Sequence, residues 1–406
     1  MADLRARYES WREARERLRL ERALGAEPDG DAERIDGEFG DVTGGAAVER
    51  AEGRFRLGLV QAALASELRA LDARIAARAR AEAEPEELDE LRAERVAERS
   101  RALARLGFAR ARSFAEALRP GVDYDAWRSE SARYLAQSDS LLRDAERGPG
   151  SGSSFGSELP GSRLRAALDH ALAGMGLDLG RLPGLTIDGP RPGLAGPAFS
   201  IAPRVPGDVW LELTGAGGLG ACGELFSAAG QAAQAAITSP ELPLEKRVLG
   251  DPALAAGFGE LWRALASEIP LGAELARVTP EHFAAAARRA RIERLQSAAG
   301  RVATELWLAE LDPGSAPGAW QEPGYLARAG PALTSVDSLR AAAFGMGAAR
   351  LLRGRFGREY WKTRGAGTLL LELWNTGTTY GLEELARELR LGALGADALL
   401  EDDRTP

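Results

Sequence analysis

Chemistry needs polar side chains that converge, and this chain holds few of the usual ones: its histidines are His170 and His282, and its one cysteine is Cys222. An imidazole works as a base or a metal ligand only beside a partner. Neither histidine has one at ligand spacing, so each reads as a structural or surface residue. A single cysteine excludes an intrachain disulfide and says little about compartment. Ser227 has a nucleophile's hydroxyl but no histidine base placed for it. Glu224 lies three residues before Ser227, and Glu260 lies four after Ala256. Together they could form a carboxylate pocket, but a hard cation asks for about six oxygen ligands or more, so two solvated or salt-bridged glutamates is the plainer reading. Gly215-Ala216-Gly217-Gly218-Leu219-Gly220 spells G-x-G-x-x-G between a strand pattern and a helix pattern. No β-rich second strand follows, and the Lys-Ser/Thr of a phosphate loop is missing, so a nucleotide cradle is not supported.

The elements that must position these residues are mostly helical. Residues 2–24 and about 47–146 carry long helical patterns, broken at Gly25–Gly45, near Pro85 and at Pro120-Gly121-Val122-Asp123. From Leu57 to Leu68 apolar residues recur at three- and four-residue intervals, which marks one buried stripe. Gly148-Pro149-Gly150-Ser151-Gly152-Ser153-Ser154 is the strongest linker signal. It divides an N-terminal helical subdomain, 1–147, from a second part, 148–406. After it the spacing predicts a helix from Leu159 to Gly174, then short strands at Leu185–Asp188, Ala198–Ile201 and Val209–Leu213 that partly alternate as half-buried antiparallel strands do. Helices follow at about 220–236, 252–268, 280–311, 335–356, 365–376 and 381–388. No internal repeat is present, which argues against a solenoid.

The second part resembles the thimet oligopeptidase and oligoendopeptidase F family of zinc metallopeptidases, through roughly residues 155–400. Val205-Pro206-Gly207-Asp208-Val209-Trp210-Leu211-Glu212-Leu213 looks like that family's edge strand beside the substrate cleft. Leu225-Phe226-Ser227-Ala228-Ala229-Gly230-Gln231-Ala232-Ala233-Gln234 looks like its zinc helix, with Phe226 and Gly230 kept. The family's H-E-x-x-H puts two imidazoles on one helix face with a Glu as general base. Here those places hold Ser227, Ala228 and Gln231. Pro240–Glu245 and Leu249-Gly250-Asp251 resemble the connection to the second ligand helix, where the third ligand, a Glu, falls on Ala256. Asp337-Ser338-Leu339-Arg340-Ala341 resembles the segment bearing substrate-binding tyrosines, whose places fall on Thr334 and Ser338. Arg355–Trp361, Gly365-Ala366-Gly367 and Glu372-Leu373-Trp374 resemble structural landmarks of the family.

The resemblance implies a mainly α, gluzincin metallopeptidase-like fold with a small antiparallel β-sheet beside a central cleft, built without catalytic or metal-binding residues. Zinc hydrolysis uses three protein ligands, an open water position and a carboxylate base. Ser227, Ala228, Gln231 and Ala256 cannot supply them, so no cofactor or metal is expected. The expectation is a pseudopeptidase that holds a peptide or protein partner by strand addition near Val209–Leu213. The alternative is a hydrolase whose chemistry has been relocated.

Bulk composition narrows the partners. The chain has 406 residues and a net charge of −8, and its 52 basic residues include just two lysines, Lys246 and Lys362. Interspersed charges on an acidic chain provide no basic stripe for nucleic acid. No window approaches the roughly 20 apolar residues of a membrane span. Met1–Leu24 is charged throughout and lacks the apolar core of a secretory signal. The simplest expectation is a cytoplasmic protein.

Overall fold

A computed structural model describes residues 2–24, 31–43, 48–49, 51–81, 84–147, 155–191, 196–312 and 333–404. The linker at 148–154 lies outside them. The N-terminal half runs α1 (Ala2–Ala23), α2 (Asp31–Glu38), α3 (Gly40–Thr43), α4 (Gly53–Glu67), α5 (Arg69–Arg80), α6 (Pro85–Arg105), α7 (Ala111–Leu118) and α8 (Tyr124–Arg147). Next come α9 (Gly161–Ala173) and the strands β1 (Leu185–Asp188), β2 (Phe199–Arg204) and β3 (Asp208–Glu212). The chain continues through α10 (Gly218–Ile237), α11 (Leu244–Arg247), α12 (Pro252–Ala266), α13 (Ile269–Ala276) and α14 (Pro280–Ala309). It closes with α15 (Thr334–Phe356), α16 (Arg364–Asn375), α17 (Leu382–Glu388) and α18 (Ala396–Arg404).

Helix starts follow local chemistry. At α12 the Asp251 carboxylate accepts the Ala253 N–H at 3.0 Å with Pro252 in the first turn, and at α14 Thr279 caps His282 ahead of Pro280. A side-chain oxygen there satisfies a backbone donor that has no intrahelical partner, and proline gives up nothing because its missing N–H would be unpaired anyway. No helix among the described residues is long and apolar enough to cross a membrane.

The mainly α fold with a small sheet is as expected, but the pairing inside the sheet differs. Its order is β1-β3-β2, with β2 antiparallel to β3 and β1 parallel to it, Leu185 opposite Val209 and Asp188 opposite Glu212. The sheet is therefore mixed. Val209–Leu213, expected at the edge, falls on the central strand, and the edges are β1 and β2. The reason is burial: Val209, Leu211 and Glu212 are buried, whereas β1 alternates between half-buried and exposed residues. The short turn joining β2 to β3 makes them a hairpin, and β1 takes the remaining side of β3, a choice that alternation within each strand does not encode.

Two apolar clusters hold the molecule together. One joins the sheet to α9, α10, α12 and α16. Within it Phe258, Phe344, Trp262 and Trp374 meet edge to face at centroid distances of 5.5–6.3 Å. Such pairs each add about 0.5–1.5 kcal/mol beyond the area they bury. The other cluster takes Tyr8, Phe55, Leu59 and Trp127 from the N-terminal half together with Leu295, Val302, Leu339, Met346 and Leu400 from the C-terminal half.

Candidate functional site

The α10 and α12 helices run antiparallel and cross where glycines let their backbones touch. A Cβ on Gly230 would stand 2.7 Å from the Phe258 carbonyl oxygen. A Cβ on Gly259 would stand 2.8 Å from Ser227 Oγ and 2.9 Å from Gln231 Nε2. The two residues predicted to share a face therefore do so, and they close on Gly259. Ser227 and Ala228 are each 5% exposed, and Gln231 and Ala256 are half-buried. On a helix of 3.6 residues per turn Ala256 lies about 60° round from Gly259, still on the side turned to α10.

A cleft of about 300 Å³ opens beside this crossing. Its walls come from α1 and α4 on one side and from β2, α10 and the start of α12 on the other, and Gln231, Gln234 and Ala255 form part of the lining. Of the six degenerate positions Gln231 alone is in that lining. Thr334 opens α15 and Ser338 lies one turn on, where its hydroxyl donates to the Thr334 carbonyl at 2.8 Å. Gly259 is absent from the sequence reading because it carries no chemistry of its own; Gly at that point of an otherwise apolar helix was the available signal.

Charge is managed around the cleft by one buried network. The Arg340 guanidinium, fully buried, meets Asp251 at 2.5 Å, Asp337 at 2.8 Å and Glu383 at 2.6 Å, and Asp337 also binds Arg119. Burial alone would raise the Asp251 carboxyl, but Arg340 and the N–H groups of Ala253 and Leu382 hold it below the usual carboxylate range. This fastens the first turn of α12 to α15 and α17.

At the opposite end of the α10/α12 crossing lies a second cavity of about 220 Å³. Glu224 and Glu260 both face it, and both are engaged by arginine. Arg263 reaches Glu224 at 3.1 Å and Glu260 at 3.1 Å, while Arg294 binds Glu260 through both nitrogens. They are salt-bridged glutamates and not a cation pocket. The glycine run ahead of α10 packs on backbone: Gly218 N–H donates to the Leu159 carbonyl at 2.8 Å, and a Cβ on Gly217 would meet that same oxygen at 2.7 Å. His170 pairs with Glu274 at 3.4 Å on the surface, and His282 rests 5.2 Å from the Phe155 ring.

No protein-family model matches the sequence, and comparison with curated proteins gives no match. Solved structures do match. A Pyrococcus furiosus carboxypeptidase is 12% identical, with a TM-score of 0.69 over 99% of this chain and 98% of its own. The M32 carboxypeptidase from Deinococcus radiodurans is 14% identical, with a TM-score of 0.62 over 99% and 97%. A Bacillus anthracis protein assigned as an oligoendopeptidase F is 15% identical, with a TM-score of 0.50 over 97% and 83%. The chain thus has a helical metallopeptidase-like fold, and the likeness includes the N-terminal half, where the sequence offered a general helical similarity alone.

Metallopeptidases of this kind imply a bound metal, and the residues present at the crossing do not fit one. A hydroxyl and a neutral amide face a glycine there, and neither belongs to the imidazole, thiolate and carboxylate set that holds zinc. Among the described residues no group of three or more His, Cys, Asp or Glu side chains could hold a metal ion.

Proposed function

We propose that this chain is a metallopeptidase homologue without zinc hydrolysis, a pseudopeptidase that uses its cleft to hold a peptide or a segment of a protein partner. The observation that supports this most is the contact of Ser227 and Gln231 with Gly259. It puts a hydroxyl and an amide against bare backbone at the place where the resemblance expects two imidazoles and a carboxylate. Loss of the general base alone, Ala228 standing where a Glu would be, costs on the order of 10²–10⁴ in rate.

The sheet changes how a peptide would dock. Val209–Leu213 is hydrogen-bonded on both sides, so strand addition falls to β2, whose residues Ser200, Ile201 and Ala202 line the cleft. Part of that edge is already occupied, because Arg12 donates to the carbonyls of Ala202 and Pro203 at 3.2 Å each. A bound segment lies alongside Ser200 and Ile201 and stops at Arg12.

Two measurements on purified protein test the reading. Metal analysis after zinc loading is expected to show no stoichiometric zinc, and a broad peptide-cleavage assay is expected to show no turnover above background. Zinc-dependent cleavage would refute the proposal; cleavage without metal would move it to a hydrolase with relocated chemistry. A cytoplasmic location belongs to the same proposal and is tested by cell fractionation.

A further inference from the structure

We infer that the occupant of the cleft is an acidic peptide segment, held by carboxylate side chains at Arg12 and Arg54. This rests on the reading of the cleft as a peptide groove. Arginines in this protein mostly meet carboxylates; Arg247, also in the cleft, binds Glu9 at 2.7 Å. Arg12 and Arg54 are different. Arg12 donates to the two β2 carbonyls, and Arg54 donates to the Thr378 carbonyl at 2.9 Å. Neither makes an ion pair among the described residues, and both are half-buried in the cleft walls. Each carbonyl orients the planar guanidinium without cancelling its charge.

The acidic residues of the same cleft are spoken for. Glu16 is engaged by Arg19 at 3.4 Å and Asp251 by Arg340. Two positive charges are thus left uncompensated at the groove, on a chain whose net charge is −8. Complementarity of this kind selects a partner by charge and repels a basic one. A guanidinium has five N–H donors in a fixed fork, so Arg12 and Arg54 retain donors for a carboxylate after binding their carbonyls. In the same lining Gln231 has an amide with no hydrogen-bond partner among the described residues, able to donate to and accept from a peptide backbone.

The test is fluorescence anisotropy with extended peptides blocked at both ends, so that side chains alone carry charge: one rich in Glu, one neutral and one rich in Lys. The Glu peptide is expected to bind at least about tenfold tighter than the neutral one, to weaken as salt rises, and the Lys peptide to bind least. Arg12→Gln and Arg54→Gln are each expected to weaken the Glu peptide about tenfold, as for a lost charged hydrogen bond, while still unfolding cooperatively. Arg12→Glu and Arg54→Glu together are expected to turn the preference toward the Lys peptide, a gain that misfolding cannot mimic. Equal binding of neutral and Glu peptides, or full affinity in both glutamine variants, overturns the acidic preference and leaves the groove reading standing. Binding of no peptide at all overturns both.

Discussion

Replacing Gly230 with alanine tests whether α10 and α12 really meet backbone to backbone. The added methyl would lie 2.7 Å from the Phe258 carbonyl oxygen and 3.2 Å from Gly259 Cα. Both are main-chain atoms, so no side chain can rotate aside, and the helices must part by some tenths of an ångström. That loosens the packing around Phe226 and Phe258, both buried in the same cluster. Alanine is the better helix former by about 1 kcal/mol, but overpacking a tight contact costs about 1–3 kcal/mol or more. Gly230→Ala is therefore expected to destabilise by up to about 2 kcal/mol. The internal control is Gly300→Ala, in the middle of α14 with nothing within 4 Å of the new methyl. It receives the helical gain alone and should stabilise by about 0.5–1 kcal/mol. Urea unfolding followed by circular dichroism gives both midpoints, and equal slopes make them comparable. A Gly230→Ala midpoint raised as far as that of Gly300→Ala would refute the close crossing.

Three further outcomes follow from buried groups. Arg340→Leu leaves Asp251 and Asp337 without their shared cation and should cost about 3–5 kcal/mol in urea unfolding, where an unmoved midpoint would show the network to be idle. The Asp251 carboxyl, held low when folded, contributes stability in full above its unfolded pKa of about 3.9 and loses it as pH falls through the lower folded value. Asp251→Asn should consequently be less stable than the parent at pH 7, with the gap closing below about pH 4; a gap that stayed constant would contradict the ion pair. Burial pushes the Cys222 thiol up to about 12, so it should ignore a thiol reagent at pH 8 and react once only after unfolding, as a colorimetric titration would read.

Much of this architecture was legible because helical periodicity and capping are local. The pattern of Leu57–Leu68 and the Asp251-Pro252 start are visible in a few residues each and match α4 and α12. Strand pairing is not local, and so β3 could be located without its central place being known. The same limit applied at the site. Ser227 and Gln231 share a face by their spacing, but what they face depends on how α12 is rotated about its axis, and that is set by distant packing at Phe344 and Leu382 against Gly257. Arg12 and Arg54 could not have been chosen from among so many arginines, since what distinguishes them is a place in the cleft wall with no ion-pair partner there, which only the fold reveals.

The second apolar cluster has a consequence for how the chain is made. Tyr8, Phe55, Leu59 and Trp127 leave the ribosome early, while Leu295, Val302, Leu339 and Met346, which complete their core, leave late. During translation the first helices therefore carry an apolar face with nothing to cover it, and exposed surface of that kind invites self-association. Contacts so distant along the chain also form slowly, because a long loop must close before any burial rewards it. Residues 1–147 made without the rest of the chain are therefore expected to self-associate, since the partners of their apolar face lie in α14 and α15.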